Sequence, residues 1–189
     1  SGKSGGDGES LYFNVMNGFA HDMSYNYIDH AVYRDLSVIE IADAVKPRVE
    51  TVECYLGSGR VVITFEETLR IFPRSDPLLN LDRIFFSNST NSSVGAVSLV
   101  SFATATVLTT PDIAYTPQHT FSGVTLELQL SEPERAKAIA RSGTDGGDGT
   151  AQYLELRDGA VKDMAFNDNA LNIVTVSEHA DTTRPLVQS

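Results

Sequence analysis

Asp22 and Asn26, and with them Asp7, return 141 residues later as Asp163, Asn167 and Asp148, while Asp43 returns 138 residues later as Asp181. Carboxylate and amide oxygens are hard ligands, and several gathered at one joint chelate calcium and stiffen it. Asp148, Asp163, Asn167, Asp168 and Asp181 are therefore the candidate calcium ligands of this chain. The acidic spacing of an EF-hand loop is absent. A second reading stays open beside chelation: Asp and Asn also fix turns by hydrogen-bonding the nearby backbone.

Other chemistries find little support. "SGKSGGDG" at residues 1–8 contains the Gly-Lys-Ser of a phosphate loop, but that loop follows a strand and opens a helix. Here the glycines lead into a strand pattern, and the matching "RSGTDGGDG" at 141–149 lacks Lys-Ser. His21, His30, His119 and His179 have no metal-ligand spacing, and Lys162 stands where the second copy would repeat His21. No nucleophile elbow occurs. Glu66 and Glu67 are adjacent in a strand pattern, so they point to opposite faces, which is wrong for joint acid–base work. The expectation is a protein that is not an enzyme and needs no cofactor, calcium aside.

The recurrence itself is the larger signal. Residues 5–26 and 146–167 agree at nine of 22 ungapped positions, where composition alone gives roughly one or two. "IADAVKPRV" (41–49) returns as "HADTTRPLV" (179–187), with a three-residue length difference that a loop near residue 30 absorbs. Self-similarity at a fixed offset marks a tandem array. The expected division is residues 1–44 as the end of one repeat, 45–183 as a complete repeat and 184–189 as the start of a third, an excerpt of a longer polypeptide.

Composition narrows the partners. A formal charge of −11 argues against nucleic acid, whose phosphates need clustered Lys and Arg. The single cysteine, Cys54, rules out an internal disulfide, and it lies in an apolar alternation that suits a buried thiol. No apolar run is long enough for a membrane span.

Period-2 alternation dominates the elements that must position these residues. Residues 12–16, 36–41, 48–56, 60–65, 82–87, 97–108, 124–130, 153–157 and 171–176 read as strands, rich in Val, Ile, Thr and aromatics and separated by Gly, Asn, Asp and Pro. "SEPERAKAIARSG" (131–143) reads as one short helix: Ser131 caps it, Pro133 sits in the first turn and Glu134 completes a capping box. Ala136, Ile139 and Ala140 share one face in that reading. Many short strands with one helix, at about 131–142, predict an all-β fold: an immunoglobulin-like antiparallel β-sandwich repeat.

"NST" (88–90) and "NSS" (91–93) are two N-glycosylation acceptors in a Ser-rich stretch, which makes Asn88 and Asn91 candidate sugar sites of a secreted chain. Pro47 and Pro185 follow basic residues at equivalent seam positions and suit a short, stiff link into the next unit.

Taken in order, "VVITFEETL", "LDRIFFSNST", "VTLELQLSEPERAKAIA", "YLELRDGAVKDMAFN" and "ADTTRPLV" resemble an immunoglobulin-like repeat of very large extracellular proteins of unicellular algae and other protists, with kin among bacterial surface proteins. The resemblance covers most of residues 45–189, and 5–49 repeats its tail. It implies a building unit of adhesins, wall proteins or flagellar hairs (mastigonemes): extracellular, glycosylated, partnered by neighbouring repeats and assembled as a homo-oligomer or filament. The family often has glycine where this chain has Phe166, followed by Asn167. A carbohydrate-binding β-sandwich is the alternative, with Tyr12, Tyr55, Tyr115 and Tyr153 as the available rings and no Trp.

Overall fold

A computed structural model describes residues 9–28, 35–70, 79–90, 99–108 and 122–182. The expectations for Asp7, Asn91, Tyr115, Pro185 and residues 184–189 fall outside them. The chain divides into two compact units, Ser1–Ala44 and Val45–Ser189.

Unit 1 contributes β1 (Tyr12–Phe13) and β2 (Leu36–Ser37), an antiparallel pair in which Tyr12 faces Ser37 and Phe13 faces Leu36. Among its described residues unit 2 is all-β with one α-helix. Its strands are β3 (Val49–Tyr55), β4 (Arg60–Arg70), β5 (Ile84–Ser87), β6 (Val100–Ser101), β7 (Thr106–Val107), β8 (Ser122–Gln129), β9 (Tyr153–Leu156), β10 (Asn172–Thr175) and β11 (Ser177–His179). They form one sheet in the order β11-β3-β4-β8-β7 and another in the order β10-β9-β5-β6.

Alternation explains the packing. Val61, Ile63 and Phe65 on β4, Leu126 and Leu128 on β8, Ile84 and Phe86 on β5, and Leu154 and Leu156 on β9 are all buried in one core shared by the two sheets. Every second residue points inward, so one apolar face of each sheet meets the other. Phe86 and Phe102 meet edge to face at 4.8 Å in that core.

Three expectations change. The apolar run 97–108 is not one strand: the chain turns after Phe102, with Ala105 N–H donating to Phe102 O at 2.9 Å, so β6 and β7 fall in different sheets. The ladders are not wholly antiparallel, because β11 runs parallel to β3, with Ser177, Glu178 and His179 opposite Glu53, Cys54 and Tyr55. The chain leaves β10 in one sheet, buries Val176, and continues as β11 in the other, where it lands beside β3.

The third change concerns the helix, α1 (Glu132–Ala140), which forms as its capping chemistry requires but turns a different face inward. Glu134 and Ala138 are buried, Ile139 is half-buried, and Ala136 and Ala140 are exposed. The reason is Glu134, whose carboxylate accepts from Ser131 N–H at 2.8 Å and from Thr104 N–H at 3.0 Å. Holding a loop amide as well as the helix cap draws this side chain inside.

Candidate functional site

The recurring aspartates build turns. In unit 2, Asp163 is buried; its Oδ1 accepts from Asn167 N–H and its Oδ2 from Asn167 Nδ2–H, both at 2.8 Å. In unit 1 the Asp22 carboxylate takes the same two bonds from Asn26, at 3.0 and 2.9 Å. Those bonds hold the Asp22 carboxyl below its usual range, the Asn26 side chain contributing most.

Four backbone hydrogen bonds around the turn repeat as well. Asp22 N–H to Asn26 O, Tyr25 N–H to Asp22 O, Phe19 N–H to Met16 O and Ile28 N–H to Ala20 O recur as Asp163 to Asn167, Phe166 to Asp163, Ala160 to Arg157 and Asn169 to Val161. The pairing of β1 with β2 recurs in the same register, Tyr153 opposite Thr175 and Leu154 opposite Val174. Gly18 and Gly159 both have positive φ, at 78° and 70°, which glycine tolerates. So do Tyr25 and Phe166, at 61° and 67°, although left-handed backbone is unfavourable for aromatic residues. The Asp–Asn bonds on either side hold them there. Phe166 also lies under the Arg70 guanidinium, 4.0 Å from its ring centre.

The five candidate calcium ligands fall in separate local arrangements. Asp163 and Asn167 are bonded to each other. Asp168 pairs with Lys162 Nζ at 2.6 Å, Asp148 accepts from Thr150 N–H at 2.8 Å, and Asp181 pairs with Arg135 at 3.2 Å. No three of the four aspartates converge. A Glu67 carboxylate oxygen comes within 4.8 Å of one on Asp163, a proximity that strand alternation did not signal.

The two ends of unit 2 are tied down by side chains. Ahead of β3, Asn167 Nδ2–H donates to Val45 O at 3.1 Å, Pro47 is buried, and Val49 N–H donates to Asn172 Oδ1 at 3.0 Å. Lys46, Pro47 and Arg48 line a shallow cleft with Glu66 and Leu171. After β11, Arg135 reaches from α1 to Leu56 O at 3.0 Å and to Asp181. Because β3 and β11 run side by side in the same direction, the chain comes in at one pole of the sandwich and leaves at the other.

Sequence reasoning missed three other residues. Glu178 accepts from Gln152 N–H through Oε1 and Gly143 N–H through Oε2, both at 2.8 Å, and Glu40 accepts from Leu11 N–H at 2.9 Å in the equivalent place of unit 1. The identity of Glu40 and Glu178 at the 138-residue offset was the available signal. Asn169 is buried, receives Val161 N–H and donates to Arg157 O. Its counterpart is Ile28, so nothing in the copy marks it.

Asn88 follows β5 and is half-buried, beside a Ser87–Ser89 turn. Tyr55 is stacked by His179 at 4.3 Å and 4°, so one face of its ring is covered; Tyr153 is half-buried and Tyr12 exposed. Cys54 is buried, and burial, followed by the charge of Glu178, pushes its thiol up to about 12. Among the described residues no helix is long and apolar enough to cross a membrane. The chain matches no protein-family model, no curated protein and no solved structure.

Proposed function

We propose that the chain is a structural module of a multi-repeat extracellular glycoprotein that forms or extends a cell-surface fibre. The observation that carries this reading is the parallel placement of β3 and β11, which puts the incoming and outgoing chain at opposite poles of unit 2. A unit of that kind adds length when units are joined in series, whereas a unit with both ends at one pole would fold back. The bond-for-bond recurrence of the Asp–Asn turn in unit 1 supports the serial part.

The strand order supports an immunoglobulin-like sandwich. With β3, β4, β5, β7, β8, β9 and β10 taken as strands A to G in turn, one sheet reads A-B-E-D and the other G-F-C. On this reading the seam residues are mechanical parts: Asn167 and Asn172 hold the incoming segment, and Arg135 holds the outgoing one. N-linked sugar at Asn88, Asn91 or both is part of the proposal.

Mass spectrometry of the native protein tests it. Peptides containing Asn88 and Asn91 are expected to carry glycan that an N-glycosidase removes. Fully unmodified peptides from native material would remove the secreted, glycosylated reading.

A further inference from the structure

Unit 1 repeats the hairpin pairing and the Asp–Asn turn bonds of residues 152–176 but not their burial. Leu154, Ala160 and Val176 are 0%, 0% and 5% exposed, whereas their counterparts Phe13, Phe19 and Val38 are 54%, 72% and 37% exposed. Val15, the counterpart of Leu156, is buried. β9 has β10 on one side and β5 on the other; β1 has β2 and, among the described residues, no second neighbour.

Resting on the tandem-repeat reading, we propose that this bare face receives the same layer that unit 2 builds for itself. One part is a β5-type strand, antiparallel on the free edge of β1. The other is a facing sheet of β3–β4–β8 type. Both belong to polypeptide joined covalently ahead of β1, not to a second molecule.

Three observations specify this occupant. The first is the connector. In unit 2 the segment between α1 and β9 passes so close to the helix end that a Cβ at Gly147 would meet Ser142 O at 2.1 Å and Ile139 O at 2.8 Å. Ser142, Gly143, Gly146, Gly147, Asp148 and Gly149 recur as Ser1, Gly2, Gly5, Gly6, Asp7 and Gly8. The glycine that the helix end requires in unit 2 thus has its sequence counterpart, Gly6, ahead of β1, which is the pattern of a chain continuing from an α1-type helix. Direct continuity with that helix selects a covalent occupant. The second is Glu40, which keeps the clasp on Leu11 N–H that Glu178 makes on Gln152 N–H while also holding Gly143. The third is Tyr25, 72% exposed and stacked on one face by His21 at 5.0 Å, where Phe166 is 41% exposed and has the Arg70 guanidinium of β4 4.0 Å from its ring centre. A guanidinium from the arriving sheet fits the ring face that His21 leaves open.

The test uses only this sequence. Residues 45–144 are joined directly ahead of Ser4, the counterpart of Asp145, so that a complete repeat precedes unit 2. Hydrogen exchange is followed at residues 12–15 in this extended chain and in the 189-residue chain, each dilute and concentrated. The proposal expects exchange at least ~100-fold slower in the extended chain at every concentration. A second extended chain carries Phe13→Leu and Phe19→Ala, which restore the side chains that the borrowed layer packs against in unit 2. Fast exchange in both extended chains, with residues 154–156 still protected, overturns the proposal. Protection in the 189-residue chain that grows with concentration also overturns it, because the occupant is then another molecule. Glycan mapping is independent of both, so failure of the extracellular reading is distinguishable from failure of this one.

Discussion

Asp163 combines a carboxylate's two acceptors with burial, and both oxygens serve one asparagine. Asp163→Ala leaves the half-buried Asn167 amide and side chain without these acceptors, at a cost of about 1–2 kcal/mol. Urea unfolding of unit 2 should show that loss; a change within error would mean the turn does not depend on the pair. Asp22 makes the same bonds in the open and gives a pH signature. Its folded-state pKa lies below the unfolded value of 3.8, so its contribution is full above that value. That contribution is lost as pH falls through the lower, folded value. The Asn26 amide resonance is therefore expected to titrate with a midpoint below 3.8. A midpoint at or above it would contradict the hydrogen-bonded turn. Asp163 and Asn167 were legible in the sequence because a second copy preserves them. Whether they chelate or brace was not legible, because both roles call for the same oxygens. The left-handed backbone at Tyr25 and Phe166 was hidden too, since nothing in an aromatic side chain announces positive φ.

At the scale of elements, alternation located most strands of the core, and capping chemistry located α1. Alternation could not show that 97–108 changes sheets at Phe102, because an apolar run looks the same on either sheet. It also passed over β11, whose Ser, Glu and His resemble a polar tail and whose pairing partner lies over a hundred residues away. The rotation of α1 follows from Glu134, a residue that pattern reading assigns to solvent. Glu134→Ala removes the acceptor of the Ser131 and Thr104 amides and is expected to cost about 1–2 kcal/mol in chemical denaturation, more than an exposed charge does. Glu134→Gln retains an acceptor and should recover part of that loss. Equal behaviour of the two variants would show that the carboxylate position serves no amide.

One unit has a two-sheet core, and the other has the same hairpin and turn with, among the described residues, no covering layer. The chain's acidic surface and polar turns bear on solubility, whereas the placement of chain ends in unit 2 bears on what the module is for. Side chains at both poles, Asn167 and Asn172 at one and Arg135 at the other, are where a serial assembly would gain stiffness. Arg135→Gln is expected to leave the core intact and to speed amide exchange at residues 180–182, read against unchanged exchange in β4. Unchanged exchange at both places would mean that Asp181 is held by other means. One backbone motif built twice underlies both the serial reading and the shared turn chemistry. Cross-strand nuclear Overhauser effects in solution test this directly, together with the φ angles of Tyr25 and Phe166. The prediction is contact between Phe13 and Leu36 and, in the same register, between Leu154 and Val174, with positive φ at both aromatic residues. A different register in the two hairpins, or extended backbone at either aromatic residue, would contradict it.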